Sequence, residues 1–262
     1  MQNGYSPKDA KSGALAARDR SCRHVTPFAQ EYAACRCEWG MEGLVALAPA
    51  DVTIIVDVFS FTTCVDVALG AGATILPYRW DDPSAADYAA RNNAELAGKR
   101  RQARYSLAPG CYVDAPAGLR CVLPSPNGAR ITLEAADRSA VLLAACLRNA
   151  HAVATAAARL GRTTNVIPCG ERWPSGTLRP ALEDALGAGA VLAHLAGSRS
   201  VEAEACVALF ERHKAELQDV LAQTSTGREL EARGHVRDKE YAAALNASTI
   251  VPRFDGVAYV AT

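Results

Sequence analysis

Between positions 52 and 58 the chain reads VTIIVDV, apolar or β-branched at every position but one. A run without polar alternation predicts a strand covered on both faces, the environment of a parallel sheet. Thr62 and Thr63 follow as N-caps for a helix carried by Val65, Val67 and Leu69. Gly70 and Gly72 end that helix, and a second strand is predicted over 73–77. The pattern then repeats: a helix over 85–96 stopped by Gly98, strands over 119–123 and 140–145, a helix over 146–160 closed by Gly161, and a strand over 165–169. Pro180 opens a strong helix, and 201–222 reads as one long amphipathic helix. Two short helices follow, over 225–230 and after Gly234, with short strands over 249–251 and 257–260. Strands alternating with helices predict an α/β fold with a parallel sheet. No repeat or composition break divides the chain, so one domain is expected over 28–262, with residues 1–27 as a frayed extension.

The one interruption in the first strand, Asp57, is the first chemical clue. Burying a carboxylate in an apolar run is costly unless a cation or a metal ion meets it. Asp57 also falls at the strand's C-terminal end beside a helix start, where open α/β sheets bind ligands. Further acids occupy comparable places. Glu171 emerges after the strand over 165–169, and Glu183 and Asp184 lie in the first turns of the helix that Pro180 opens. The adjacent pair can simply complement the helix dipole. Alternatively, Asp57, Glu171, Glu183 and Asp184 face one cleft and offer oxygen ligands to a hard divalent cation. After the strand over 119–123, Asn127-Gly128 is either a plain turn or a cradle of backbone N–H groups for an anion. The basic segment over 99–120 reads as a solvated loop or as a lid bringing a cation to the ligand. Trp39, beside Glu38 and Gly40, is read as core packing before a short helix over 41–47.

Composition narrows the function classes. With 28 basic and 28 acidic residues the formal charge is zero, so neither nucleic acid nor an anionic membrane is an expected partner. No apolar run approaches the ~20 residues of a membrane span, and no secretory signal is evident, so a cytoplasmic enzyme is expected. The nine cysteines fall mostly in apolar patterns and read as small buried hydrophobes, without zinc-site spacing. None of the five histidines has a metal-ligand spacing partner, and His151 is read as structural. A P-loop, a dinucleotide-binding glycine fingerprint and the serine-hydrolase elbow are all missing. Cys206-x5-Arg212 lies inside an amphipathic helix, where no phosphate cradle forms. Asp57 lacks the second aspartate two residues on that aspartyl-phosphate hydrolases use.

In order along the chain stand Asp57 with Thr62 and Thr63 behind it, Pro126-Asn127-Gly128, Arg148-Asn149-Ala150, Gly170-Glu171, Leu182-Glu183-Asp184 with Gly187-Ala188-Gly189, Gly227-Arg228-Glu229-Leu230, Gly234, Asp238, Leu245 and Val251-Pro252. In this order and spacing the chain resembles the 2-phosphosulfolactate phosphatase family, whose founding activity is a step of coenzyme M biosynthesis. The resemblance implies a three-layer α/β/α fold with a mainly parallel sheet. It also implies Mg²⁺-dependent hydrolysis of a small acidic phosphomonoester carrying sulfonate and carboxylate groups. On this reading Asp57, Glu183 and Asp184 are catalytic, and these three with Glu171 hold the cation. Thr62, Thr63, Asn127 and Gly128 hold the phosphate, and Arg148 or Arg172 neutralises the second acidic group. A metal-activated water attacks in line. A homodimer is allowed for.

The chain departs from the family pattern at Ser60, where an arginine is usual, and at Lys99, where a glutamate often follows Gly98. Lys99 or Arg100 would have to reach over to replace the clamp, and a lysine does not reproduce the guanidinium fork. A second reading is therefore a non-hydrolytic paralogue that binds a small dicarboxylate or phosphorylated acid. A third, Cys169 as a nucleophile, lacks a histidine placed to activate it.

Overall fold

The structure, a computed structural model, describes residues 26–262. All but the last two residues of the expected 1–27 extension lie outside it, and Pro27 already opens a 3-10 turn, Pro27–Ala29. The first elements are β1 (Cys35–Cys37), α1 (Gly40–Ala46), β2 (Val52–Val56), α2 (Phe61–Gly70) and β3 (Thr74–Arg79). They are followed by α3 (Ala85–Arg91), β4 (Glu95–Leu96), β5 (Arg120–Ser125), α4 (Gly128–Ala135), β6 (Val141–Ala145), α5 (Ala150–Leu160) and β7 (Thr164–Pro168). A small hairpin, β8 (Glu171–Arg172) and β9 (Leu178–Arg179), leads into α6 (Leu182–Ala193). Then come α7 (Val201–His213), α8 (Leu217–Gln223), α9 (Ser225–Ala232), α10 (Val236–Ala243), β10 (Pro252–Phe254) and β11 (Tyr259–Ala261).

Nine strands join in one sheet, ordered β1-β7-β2-β6-β10-β11-β3-β5-β4. β2 lies between β7 and β6 and pairs in parallel with both, as its unbroken apolar run predicts. All five of its residues are buried. Each fully buried valine or isoleucine side chain contributes roughly 1.5–3 kcal/mol. Val52, Ile54 and Val56 pack toward α5, α6 and α7, whereas Ile55 packs toward α1, α2 and α4. On the far block, Leu76 of β3 and Val122 of β5 meet Ala89 of α3. The fold is three layers, α/β/α.

The β10–β11 hairpin is antiparallel to β6 on one side and to β3 on the other. Three antiparallel pairings in a row thus separate the parallel block β1-β7-β2-β6 from the parallel block β3-β5-β4, and the second block reverses its sense along the ladder. The hairpin also ties two helices together. Tyr259 packs edge-on against Phe61 of α2, with ring centroids 6.1 Å apart, and its hydroxyl lies 2.8 Å from that of Thr132 in α4.

Several expected boundaries move. The helix over 85–96 ends at Arg91, because Asn93 turns the chain with a φ of 48° and Glu95–Leu96 is taken up as the edge strand beside β5. The long helix over 201–222 breaks at 214–216 into α7 and α8. A straight helix of that length would run roughly 33 Å, whereas the break lets α8 turn onto α9 and α10. The helix over 146–160 begins only at Ala150, after a 3-10 turn in which Asn149 Oδ1 accepts from the Cys146 N–H at 2.9 Å. The strand over 249–251 forms three residues later, as β10. The eight described cysteines are free thiols, seven of them buried.

Candidate active site

Asp57 is buried directly beyond the end of β2. Its Oδ2 accepts the Gly128 N–H at 2.9 Å, and the Phe61 N–H and the Ser125 hydroxyl also point at the carboxylate. The side chain therefore caps the first turn of α4 and lies beside that of α2, so the positive ends of two helices meet near it. Position 128 tolerates only glycine at this distance. A Cβ would lie 2.7 Å from Asp57 Oδ2 and 2.5 Å from the Phe61 ring.

Thr62 and Thr63 are not N-caps. Ser60 stands at that position, without a side-chain cap bond, and both threonines lie inside the first turn, fully buried. Their hydroxyls donate back to the strand end, Thr62 to the Asp57 carbonyl and Thr63 to the Val58 carbonyl, each at 2.7 Å. Those bonds fix the turn that carries Asp57.

The other three acids come to the same strand ends. Asp184, in the first turn of α6, accepts the Val58 N–H at 2.7 Å and the Gly170 N–H at 2.8 Å, bracing the ends of β2 and β7 together. Glu183 is buried beside the hydroxyls of Thr226 and Thr224, although Thr226 Oγ1 makes no full hydrogen bond. Glu171 accepts the Asn127 amide at 3.3 Å, which links β8 to the start of α4.

Burial is the main reason that all four carboxyls sit above their ordinary range. Asp57 is pushed to about 6, burial acting first and Glu183 adding repulsion against the opposing N–H donors. Glu171 is pushed to about 7 by burial, then by Asp57 and Glu183. Asp184 and Glu183 are raised as well, the former also by Asp57 and Glu183. Among the described residues, none of the four forms an ion pair. Buried acids that repel one another without a cation suit a hard dication. No three acid, histidine or cysteine side chains among the described residues stand close enough to share one ion as an all-protein cage. At most two of these carboxylates can then meet at one ion, a number compatible with Mg²⁺, which takes one or two and fills its shell with water and substrate oxygens.

A family model described as 2-phosphosulpholactate phosphatase matches residues 42–256. The chain belongs to that family. Membership makes it a phosphoric monoester hydrolase by family, and the match spans all of the acids, threonines and arginines named above. No curated protein gives a match.

Of the two arginines expected to serve this phosphatase's substrate, Arg148 is already engaged. Its Nε donates to Asp66 Oδ2 at 2.8 Å, one face of its guanidinium lies over the Tyr241 ring, and both partners of the ion pair are largely buried. Arg172, on the exposed β8–β9 hairpin, donates to the Gly176 carbonyl at 2.8 Å and lines only the rim. Of the two basic residues expected to reach over at Ser60, Arg100 comes close: its Nη2 lies 3.4 Å from Ser60 Oγ, three residues past Asp57. The basic segment and the Ser60 departure were its only sequence signals.

Cys169 is buried, and burial with the nearby Asp57 and Asp184 pushes its thiol well above its ordinary value, which leaves no thiolate for attack. Trp39 packs against the core, as expected. Two cavities of about 860 and 730 Å³ are not lined by Asp57, and the space touching Glu171 and Asn127 measures only about 20 Å³. Chemistry and not cavity size identifies the site.

Proposed function

We propose that this phosphatase hydrolyses a small acidic phosphomonoester in a Mg²⁺-dependent reaction, with 2-phosphosulfolactate, giving sulfolactate and phosphate, as the expected substrate. The observation that carries the reading is the group of buried carboxylates without a cation, set against two converging helix starts. Asp57, with either Glu171 or Glu183 beside it, would hold Mg²⁺, and Asp184 would keep β2 and β7 in register beneath it. When bound, the ion supplies charge neutralisation at the phosphoryl group and activation of water.

The chain's own residues do the positioning. The first turns of α2 and α4 aim their dipoles at the same point and favour an anion there. Asn127 steadies Glu171 at that edge, and the Thr62 and Thr63 bonds hold the Asp57 turn so that it does not reorganise as charge moves. The same reading places the enzyme in the cytoplasm. No described helix is long and apolar enough to cross a membrane.

The test is phosphate release from 2-phosphosulfolactate and from simple phosphomonoesters, with Mg²⁺ and after chelation. Release that persists undiminished after chelation would sink the metal requirement, and full activity in Asp57→Asn and Glu183→Gln would sink the site. A second reading, a non-hydrolysing acid-binding member of the family, is favoured by Ser60 standing where an arginine is usual. It predicts saturable binding of sulfolactate with no phosphate released from any ester.

A further inference from the structure

Arg100 lies in the segment between β4 and β5, and its side chain is 22 % exposed. Every contact it makes runs through one nitrogen. Nη2 donates to the Leu107 carbonyl, sits 3.1 Å from Asp238 Oδ2 and lies 3.4 Å from Ser60 Oγ. The approach to Asp238 is an ion pair without hydrogen-bond alignment, since Oδ2 has no hydrogen-bonded partner. A guanidinium has five N–H donors, two of them on Nη2. The three on Nε and Nη1 have no partner among the described residues, and Nε is buried. An unmade bond to a buried charged donor is costly unless something fills it.

The guanidinium reaches the start of α2 through Nη2, 3.4 Å from Ser60 Oγ. Ser60 precedes the helix, Asp57 lies three residues before it, and Cys64, one turn below, feels the charges of Arg100, Asp238 and Asp57 together. The neighbouring Arg101 also ties this segment to the turn before α10, donating to the Gly234 carbonyl at 3.0 Å. Arg148 is occupied by Asp66, and Arg172 lies on the exposed hairpin.

We propose that Arg100 is the residue that recognises the acid part of the substrate, its free guanidinium edge taking the carboxylate or sulfonate of the molecule whose phosphoester is cleaved at Asp57. This rests on the hydrolytic reading above and deepens it: the preferred substrates are phosphoesters of small hydroxy acids, with the second negative charge close to the ester oxygen. Asp238 holds the guanidinium in place and keeps it from swinging onto the phosphate. Ser60 leaves room for the guanidinium at the start of α2.

The experiment compares kcat/KM for 2-phosphosulfolactate and for ethyl phosphate, which has no second acid, in wild type, Arg100→Lys, Arg100→Gln and the double variant Arg100→Gln with Asp238→Asn. The ratio between the two esters is expected to fall roughly 10- to 100-fold in Arg100→Gln, as for loss of a charged hydrogen-bond pair. It should fall less in Arg100→Lys, which keeps the charge and loses the fork. The double variant leaves no unpaired buried charge and must show the same fall if folding is not its cause. Equal losses on both esters, or an unchanged ratio, would overturn the proposal. If wild type releases no phosphate from either ester, calorimetry with sulfolactate separates the two ideas. Binding that weakens at least tenfold in Arg100→Gln keeps Arg100 as the acid-recognising residue while hydrolysis fails, and equal binding by the two proteins ends the inference.

Discussion

Asp57 and Asp66 are nine positions apart on either side of the first turns of α2, and both are buried. Burial raises both carboxyls above their ordinary value. They differ in what answers the charge. Asp66 meets Arg148 at 2.8 Å and so anchors α2 to the turn after β6. Asp57 receives N–H and hydroxyl donors but no cation, and it has Glu171, Glu183 and Asp184 as charged neighbours. The same cost of burial is offset internally in one case and left open in the other. A carboxylate with its own arginine is structure, and a carboxylate denied one, in a chain with many arginines, is the one we propose for a ligand.

The sharpest way to break that contrast is to neutralise each acid's side of it. Asp57→Asn is expected to lower phosphate release about 10²–10⁴-fold, while its metal-free thermal midpoint stays level or rises as repulsion among the acids is relieved. Arg148→Met strands Asp66 in the protein and is expected to cost about 3–5 kcal/mol in urea unfolding. If Arg148→Met proved neutral and Asp57→Asn strongly destabilising, the roles would be the reverse of those argued here.

Gly128→Ala tests the geometry that joins the two helix starts. The added methyl meets Asp57 Oδ2 and the Phe61 ring, so a loss of about 1–3 kcal/mol is expected. Activity should fall with it, because Asp57 has to move. Wild-type stability in the unfolding assay with a loss of activity would separate the close contact from the fold.

Mg²⁺ should then distinguish the two acids by heat alone. At a concentration 100-fold above its dissociation constant it stabilises by about 2.7 kcal/mol, read as a rise in thermal midpoint for wild type and Asp66→Asn. Asp57→Asn should show little or no rise, and an equal rise in all three proteins would place the ion elsewhere.

The smallest expected effect is the pH dependence of the structural pair. Burial outweighs the Ser248 and Arg148 contacts and raises Asp66 above 3.8 in the folded protein. Between 3.8 and that raised value the folded state holds more protons than the unfolded one, so this group's contribution to stability falls as pH rises through the window. Urea midpoints measured from pH 4 to 7 should show a shallower fall in Asp66→Asn than in wild type.

Much of this was legible in the residues. The unbroken run over 52–58 identified β2 as a strand covered on both faces, and the acid that interrupts it pointed to the candidate site. Thr62 and Thr63 show where that reading stopped. Their type and position suggested caps for a ligand-facing helix start, but the chain enters α2 two to three residues earlier and uses both hydroxyls to close the turn. Arg148 shows the same limit. Its place after a strand end was evident, but its partner, Asp66, is 82 residues away in sequence.

By itself the sequence determined the α/β layering, the strand ends that carry Asp57, Glu171 and the α6 acids, and the family resemblance, because periodicity and punctuation act over a few residues and report burial directly. Only the tertiary structure decided which charges were answered and which were left open: Arg148 to Asp66, Gly128 to Asp57, Asp184 to two strand ends, and Arg100 to the start of α2. The physical reason is that a buried charge interacts over a few ångströms through whichever element the layers bring against it. Those neighbours come from segments tens of residues apart, where no local pattern records the pairing.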